Sequence, residues 1–246
     1  MGKLVTKIIF RFALLAACVL AAFLLLLSFP QPLFSYSLRV DNLVLHSDRP
    51  IPSLSAQNVL KLAQDKLAKS PLYSNREVYD IFVCNAAWRQ ALLFNKDYGA
   101  GGVALYPLSS NIFLRDSWIE QNRLISPLGT PVAADRTLDY FIAHEITHQA
   151  TGKAIGPIRF LKLPQYIREG YADYVGKGSS LNYDEAKRAF LAGAPEMDYK
   201  KSGLYLRYHL LVAYLLDHQG WTVSRLLRDC PPQQAVENSV KQERRP

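Results

Sequence analysis

Phe12 to Phe29 is an uncharged, mostly apolar run of 18 residues, and Ile8-Ile9-Phe10 extends it across Arg11. As a helix it reaches about 27 Å, close to the thickness of a hydrocarbon core. Beyond it the pattern becomes that of a folded domain. Residues 31–54 carry Pro32, Pro50 and Pro52 and read as a juxtamembrane stalk, with a short strand over Leu38–Leu45. Val59, Leu60, Ala63 and Leu67 share one face of a helix expected over Ser55–Lys69. Tyr79–Val83 reads as a buried strand, and Asn85 as the cap of a short helix to Leu93. Lys96 to Gly102 has the composition of a turn; a phosphate loop would need a Lys-Ser/Thr ending that is missing. Gly102–Leu108 and Asn111–Trp118 read as strands, one of them a sheet edge. After a Pro/Gly loop, Leu138, Phe141, Ile142 and Ile146 give the apolar face of a helix capped by Asp135 and ended by Gly152. A second helix follows Pro164. Further helices are expected over Tyr183–Ala192, Leu204–His218 and Thr222–Leu227.

These elements divide the chain into an apolar segment (1–30), the stalk (31–54), one α+β domain (55–232) and a polar, unstructured tail (233–246). No repeat or low-complexity stretch interrupts the pattern. The formal charge is +8, and Lys3, Lys7 and Arg11 account for three of it, so the remainder is mildly basic at +5. No basic run with interleaved aromatics points to nucleic acid. All three of those basic residues precede the apolar run, which puts the N-terminus in the cytoplasm and the domain outside. Leu24 to Pro30 offers no clean small-x-small cleavage site. An uncleaved signal anchor is therefore favoured over a secreted product of signal cleavage. In an exported domain Cys84 and Cys230 are either bridged or two buried thiols.

The chemistry is concentrated in His144-Glu145-Ile146-Thr147-His148. Histidines four apart leave a helix from one face, where both can bind one zinc ion, and Glu145 can reach a water on that metal. A catalytic zinc takes three protein ligands and keeps a position for water. Glu169, in Ile167-Arg168-Glu169-Gly170-Tyr171-Ala172-Asp173-Tyr174, is the best third ligand. Asp173 lies one turn on and is expected to orient a ligand histidine. Gly170 leaves room for a close backbone neighbour.

H-E-x-x-H followed some twenty residues later by E-G-x-A-D-Y resembles the gluzincin zinc metallopeptidases. The likeness covers about residues 135–180, with a looser echo at 204–229. A metzincin would need a third histidine soon after Gly152, and none is there. The resemblance implies a zincin-like fold: a small sheet, packed on the ligand helices, whose edge strand binds extended peptide. It implies His144, His148 and Glu169 as ligands, Glu145 as general base and Asp173 behind them. It also implies an oxyanion donor on a later helix. Tyr205, after Gly203-Leu204, fits that position best; Tyr208 and His209 are alternatives, and an aromatic stripe in the core is the plainer reading. His46 and His218 are expected on the surface. The expected function is a membrane-anchored zinc metallopeptidase acting on peptide or protein substrates. The rival readings are an inactive zinc-stabilised binding domain and a zinc hydrolase of a non-peptide amide.

Overall fold

The computed structural model describes residues 2–94, 99–132, 135–178 and 181–243, with side chains from Val5 onward. It is an α+β protein with an N-terminal apolar helix and a small mixed sheet. The order is α1 (Gly2–Ser28), β1 (Tyr36–Val40), β2 (Leu43–Ser47), α2 (Ser53–Leu67), β3 (Tyr79–Val83), α3 (Ala87–Phe94), β4 (Gly102–Ala104) and β5 (Ile112–Leu114). The hairpin-like pair β6 (Ser117–Trp118) and β7 (Arg123–Leu124) follows, then α4 (Leu138–Ile155), α5 (Pro157–Lys162) and α6 (Gln165–Lys177). The chain closes with α7 (Tyr183–Leu191), α8 (Tyr199–Ser202), α9 (Leu206–Ala213, continued by a π turn to His218), α10 (Val223–Asp229) and α11 (Gln233–Gln242).

The sheet order is β1-β2-β3-β5-β4. β2, β3 and β5 are parallel neighbours, and the outer strands β1 and β4 run antiparallel to theirs. Side chains alternate between its two faces, as strand geometry demands. Ile81, Val83, Ile112 and Leu114 pack toward α2, α4 and the other helices in the main core. Phe82, Cys84, Val103 and Phe113 face the other way, onto Phe34, α3 and Leu27 at the end of α1.

Several expectations change. Residues 36–47 are no stalk: β1 and β2 form two strands of the sheet, and Leu43 and Leu45 are fully buried. The prolines that suggested an extended linker bracket this hairpin instead. The tail is helical as far as Gln242, because α11 buries Val236 and Val240 and Glu237 meets Arg207 at 2.6 Å; residues 244–246 lie outside the described part. Cys84 and Cys230 are free thiols. They belong to opposite sides of the sheet, whereas a bridge needs Cα atoms within about 7 Å. His46 is buried, stacked on Phe82 and 2.7 Å from Asp80. The strand expected over Gly102–Leu108 stops at Ala104, where a turn closes from Leu108 N–H to Leu105 O. Of the turn expected over Lys96–Gly102, residues 96–98 lie outside the described part.

α4 does not present one apolar face to a core. Leu138 to Gly152 is buried without a break, so its polar residues are sealed inside as well. It runs past Gly152, whose bare Cα lets the Tyr106 ring sit against it, and ends at Gly156 with φ 81°. Asp135 does not cap it; Thr137 holds the cap position and Asp135 meets Lys177. Buried polar groups need partners. Asp139 has Lys66 at 2.6 Å and Asn122, and Thr147 donates to the Ala143 carbonyl. What remains on α4 is the candidate site.

Candidate metal centre

α4 carries His144 and His148 one turn apart, and α6 packs across it to bring in Glu169. Gly170 makes the next layer possible. A Cβ there would fall 2.5 Å from the Tyr208 carbonyl oxygen, so α9 lies directly on α6 at that point, as expected.

The three donors form a nearly regular triangle. His144 Nε2 and His148 Nε2 are 3.2 Å apart; Glu169 Oε2 is 3.5 Å from the first and 3.3 Å from the second. A tetrahedral ion with bonds of about 2.05 Å has donor–donor edges of about 3.3 Å. The triangle is thus one face of such a tetrahedron, already at the right size. All three residues are buried. Glu169 Oε1 is held by Arg168 Nε at 3.0 Å, which leaves Oε2 for the triad.

Charge argues the same way. Burial disfavours a charged His144, yet Asp173, Glu169 and Glu145 outweigh it and raise its pKa to about 10. Glu169 is pushed up by burial but held well below the usual carboxylate range by the two imidazoles. Three carboxylates around two imidazoles make a pocket that demands positive charge, and protons fill that demand when no metal does.

Asp173 supports His144 through a residue the sequence reading passed over. Its Oδ1 is 3.7 Å from His144 Nδ1, too long for the direct hydrogen bond expected there. The Tyr140 hydroxyl donates to that oxygen at 2.5 Å and lies 3.5 Å from His144 Nδ1. Tyr140 is four residues before His144, so helical spacing alone marks it as a neighbour of the ligand. His209 sits behind, fully buried, with Nδ1 3.6 Å from Asp173 Oδ2.

Glu145 faces the opposite wall. Among the described residues β4 is an edge strand of the sheet, and Gly102 lets it come close: a Cβ there would lie 2.8 Å from Glu145 Oε1. Burial raises the Glu145 pKa, against the imidazoles and a hydrogen bond from the Ala104 backbone.

No protein-family model matches the chain, and no curated protein matches it either.

These groups line one cleft of about 680 Å3, walled by β4 and the following turn on one side and by Phe160, Leu161 and Tyr205 on the other. Of the three aromatic candidates, Tyr205 faces the cleft. Its ring stacks on His144 with centroids 6.0 Å apart, and burial with Glu169 and Glu145 keeps its hydroxyl protonated far above neutrality. Tyr208 lies behind it in a ladder of rings with Tyr199.

Proposed function

We propose that this protein is a membrane-anchored zinc metallopeptidase of zincin type, with its N-terminus in the cytoplasm and its domain outside. The observation that carries the reading is the triangle of His144, His148 and Glu169, with its 3.2–3.5 Å edges and Glu145 on the same helix beside an edge strand of the sheet. Two imidazoles and one carboxylate suit zinc, and three protein ligands leave a position open. When bound, zinc supplies a Lewis acid for a carbonyl and lowers the pKa of a water.

The chain's own residues supply the rest. An extended peptide pairs with the edge strand β4 through main-chain hydrogen bonds. Glu145 takes a proton from the attacking water and hands it to the leaving amine. Tyr205 donates to the oxyanion, a contribution of about 3 kcal/mol in comparable sites. Lys3, Lys7 and Arg11 hold the N-terminus inside, and the candidate span Val5–Ser28 has no residue of its most apolar window buried in the protein.

The test is zinc content and peptide hydrolysis of the full chain, alongside Glu145→Gln. The expected result is about one zinc per chain in both, with hydrolysis lowered by roughly 10²–10⁴-fold in the variant. Equal hydrolysis by parent and variant would remove Glu145 as the base.

A further inference from the structure

The last turn of α1 is tied to the segment that walls the cleft. Ser109 Oγ donates to the Leu27 carbonyl at 2.7 Å, and Asn111 Nδ2 donates to the carbonyls of Leu27 and Ser28 at 2.7 and 3.1 Å. Both residues also accept from the metal helix: Gln149 Nε2 lies 3.1 Å from Ser109 O and 3.5 Å from Asn111 O. Gln149 adjoins His148. Two hydrogen bonds and ordinary covalent spans thus put the ligand helix within roughly 15 Å of the end of the apolar helix. Leu27 itself is 1% exposed, packed with Phe82, Val103 and Phe113. The domain is clamped to α1 and does not swing from it on a tether.

The cleft rim next to that clamp is apolar and exposed. Leu108, in the turn just before Ser109, is 59% exposed; Ile158 and Leu161 on α5 are 70% and 64% exposed. The two parts meet where Tyr106 packs edge-on against Phe160 at 5.3 Å. Rim charge has one sign. From Gly99 to Leu114 there is no charged residue, and from Ile146 to Ile167 there is no acid, while Arg159 and Lys162 stand exposed on α5. Exposed leucines beside cations, next to the exit point of a span, match an anionic lipid surface in both polarity and charge.

We propose that the turn Leu105–Ser109 and α5 rest on the phospholipid surface, so that the cleft opens at the membrane and accepts peptide segments bordering a lipid anchor or a span. The substrate half of this rests on the peptidase reading; the contact with lipid does not.

The experiment uses the full chain, with Cys18→Ala and Cys230→Ser, reconstituted in vesicles containing phosphatidylglycerol. An environment-sensitive fluorophore is placed on Ile158→Cys, on Leu161→Cys or, as a control on distant α7, on Leu191→Cys. Lipids carrying a nitroxide high on the acyl chain are expected to quench positions 158 and 161 at least threefold more than 191. Equal weak quenching at all three overturns the proposal. So does protection of 158 from both nitroxide lipid and aqueous iodide, which would give the surface to a protein partner. A second arm compares one peptide joined to an acyl anchor by three residues or by twenty Gly/Ser residues, the longer reaching roughly 25 Å. Cleavage of the short form at least as fast as the long is expected; a tenfold deficit overturns the substrate assignment. If the zinc-loaded parent cuts neither, the peptidase reading fails and takes the substrate half with it, while quenching still decides the lipid contact.

Discussion

The two longest helices are solvated in opposite senses. α1 is almost wholly apolar, and its most apolar window has no residue buried within the protein. α4 carries Asp139, His144, Glu145, Thr147, His148, Gln149 and Thr151, and all of them are buried. Each helix presents groups suited to surroundings other than water, and the two kinds of group differ. An apolar cylinder without protein cover calls for hydrocarbon. Imidazoles and carboxylates gathered away from water form a cluster that could hold a cation. The same chain links both helices through Ser109 and Asn111.

The contrast breaks most completely at Glu169. Glu169→Ala leaves two imidazoles and removes the only carboxylate of the triangle. It should lose metal on dialysis and bring hydrolysis to background, measured by metal analysis and peptide assay. Zinc retained at parental stoichiometry would move the third ligand elsewhere. Tyr205→Phe keeps the ring on His144 and removes one donor; kcat should fall roughly 10²–10³-fold with zinc unchanged.

Smaller effects sharpen the picture around His144. Tyr140→Phe leaves Asp173 Oδ1 without its donor and should weaken metal affinity about 10–100-fold, read by chelator competition. The pH dependence follows in sign. Asp173, Glu169 and Glu145 raise the His144 pKa to about 10 against its burial, so metal uptake at pH 7 is expected to displace a proton. Apparent affinity should rise about tenfold per pH unit toward pH 10. Calorimetry in buffers of different ionisation enthalpy should detect about one proton released from this group. For the metal-free fold the same raised pKa stabilises fully below the ordinary 6.5 and is lost as pH climbs through about 10.

What could be read in advance divides along the same line. Local spacing was sufficient for both helices: the apolar run of α1, and the i, i+4 histidines of α4. Gly170 was legible too, since a missing side chain beside a proposed ligand implies a close neighbour. Long-range pairing was not. Between the prolines at 32 and 50 the alternation marks one short strand over Leu38–Leu45 where the chain forms two, and their pairing to β3 reaches more than thirty positions along the chain. Gln233 to Gln242 is polar enough to pass for a tail, and it holds its place through two valines and an ion pair to Arg207. Tyr140 was missed because tyrosine at helical spacing reads as core, and it is core by burial; its role lies in where its hydroxyl points.

The smallest test falls on the α1 side. Asn111→Ala removes the donor shared by the Leu27 and Ser28 carbonyls, which belong to the last turn of a helix and have no intrahelical partner of their own. Ser109 still reaches Leu27, so the clamp loosens without opening. The expected cost is about 1–2 kcal/mol of stability. It should appear as faster amide exchange around Phe29–Phe34 in the reconstituted chain. Zinc affinity should stay within about twofold, because Gln149 donates to the backbone carbonyls of Ser109 and Asn111 and not to that side chain. A large loss of zinc in this variant would mean that the two helices are coupled beyond the hydrogen bonds seen here, and that α1 helps to shape the site.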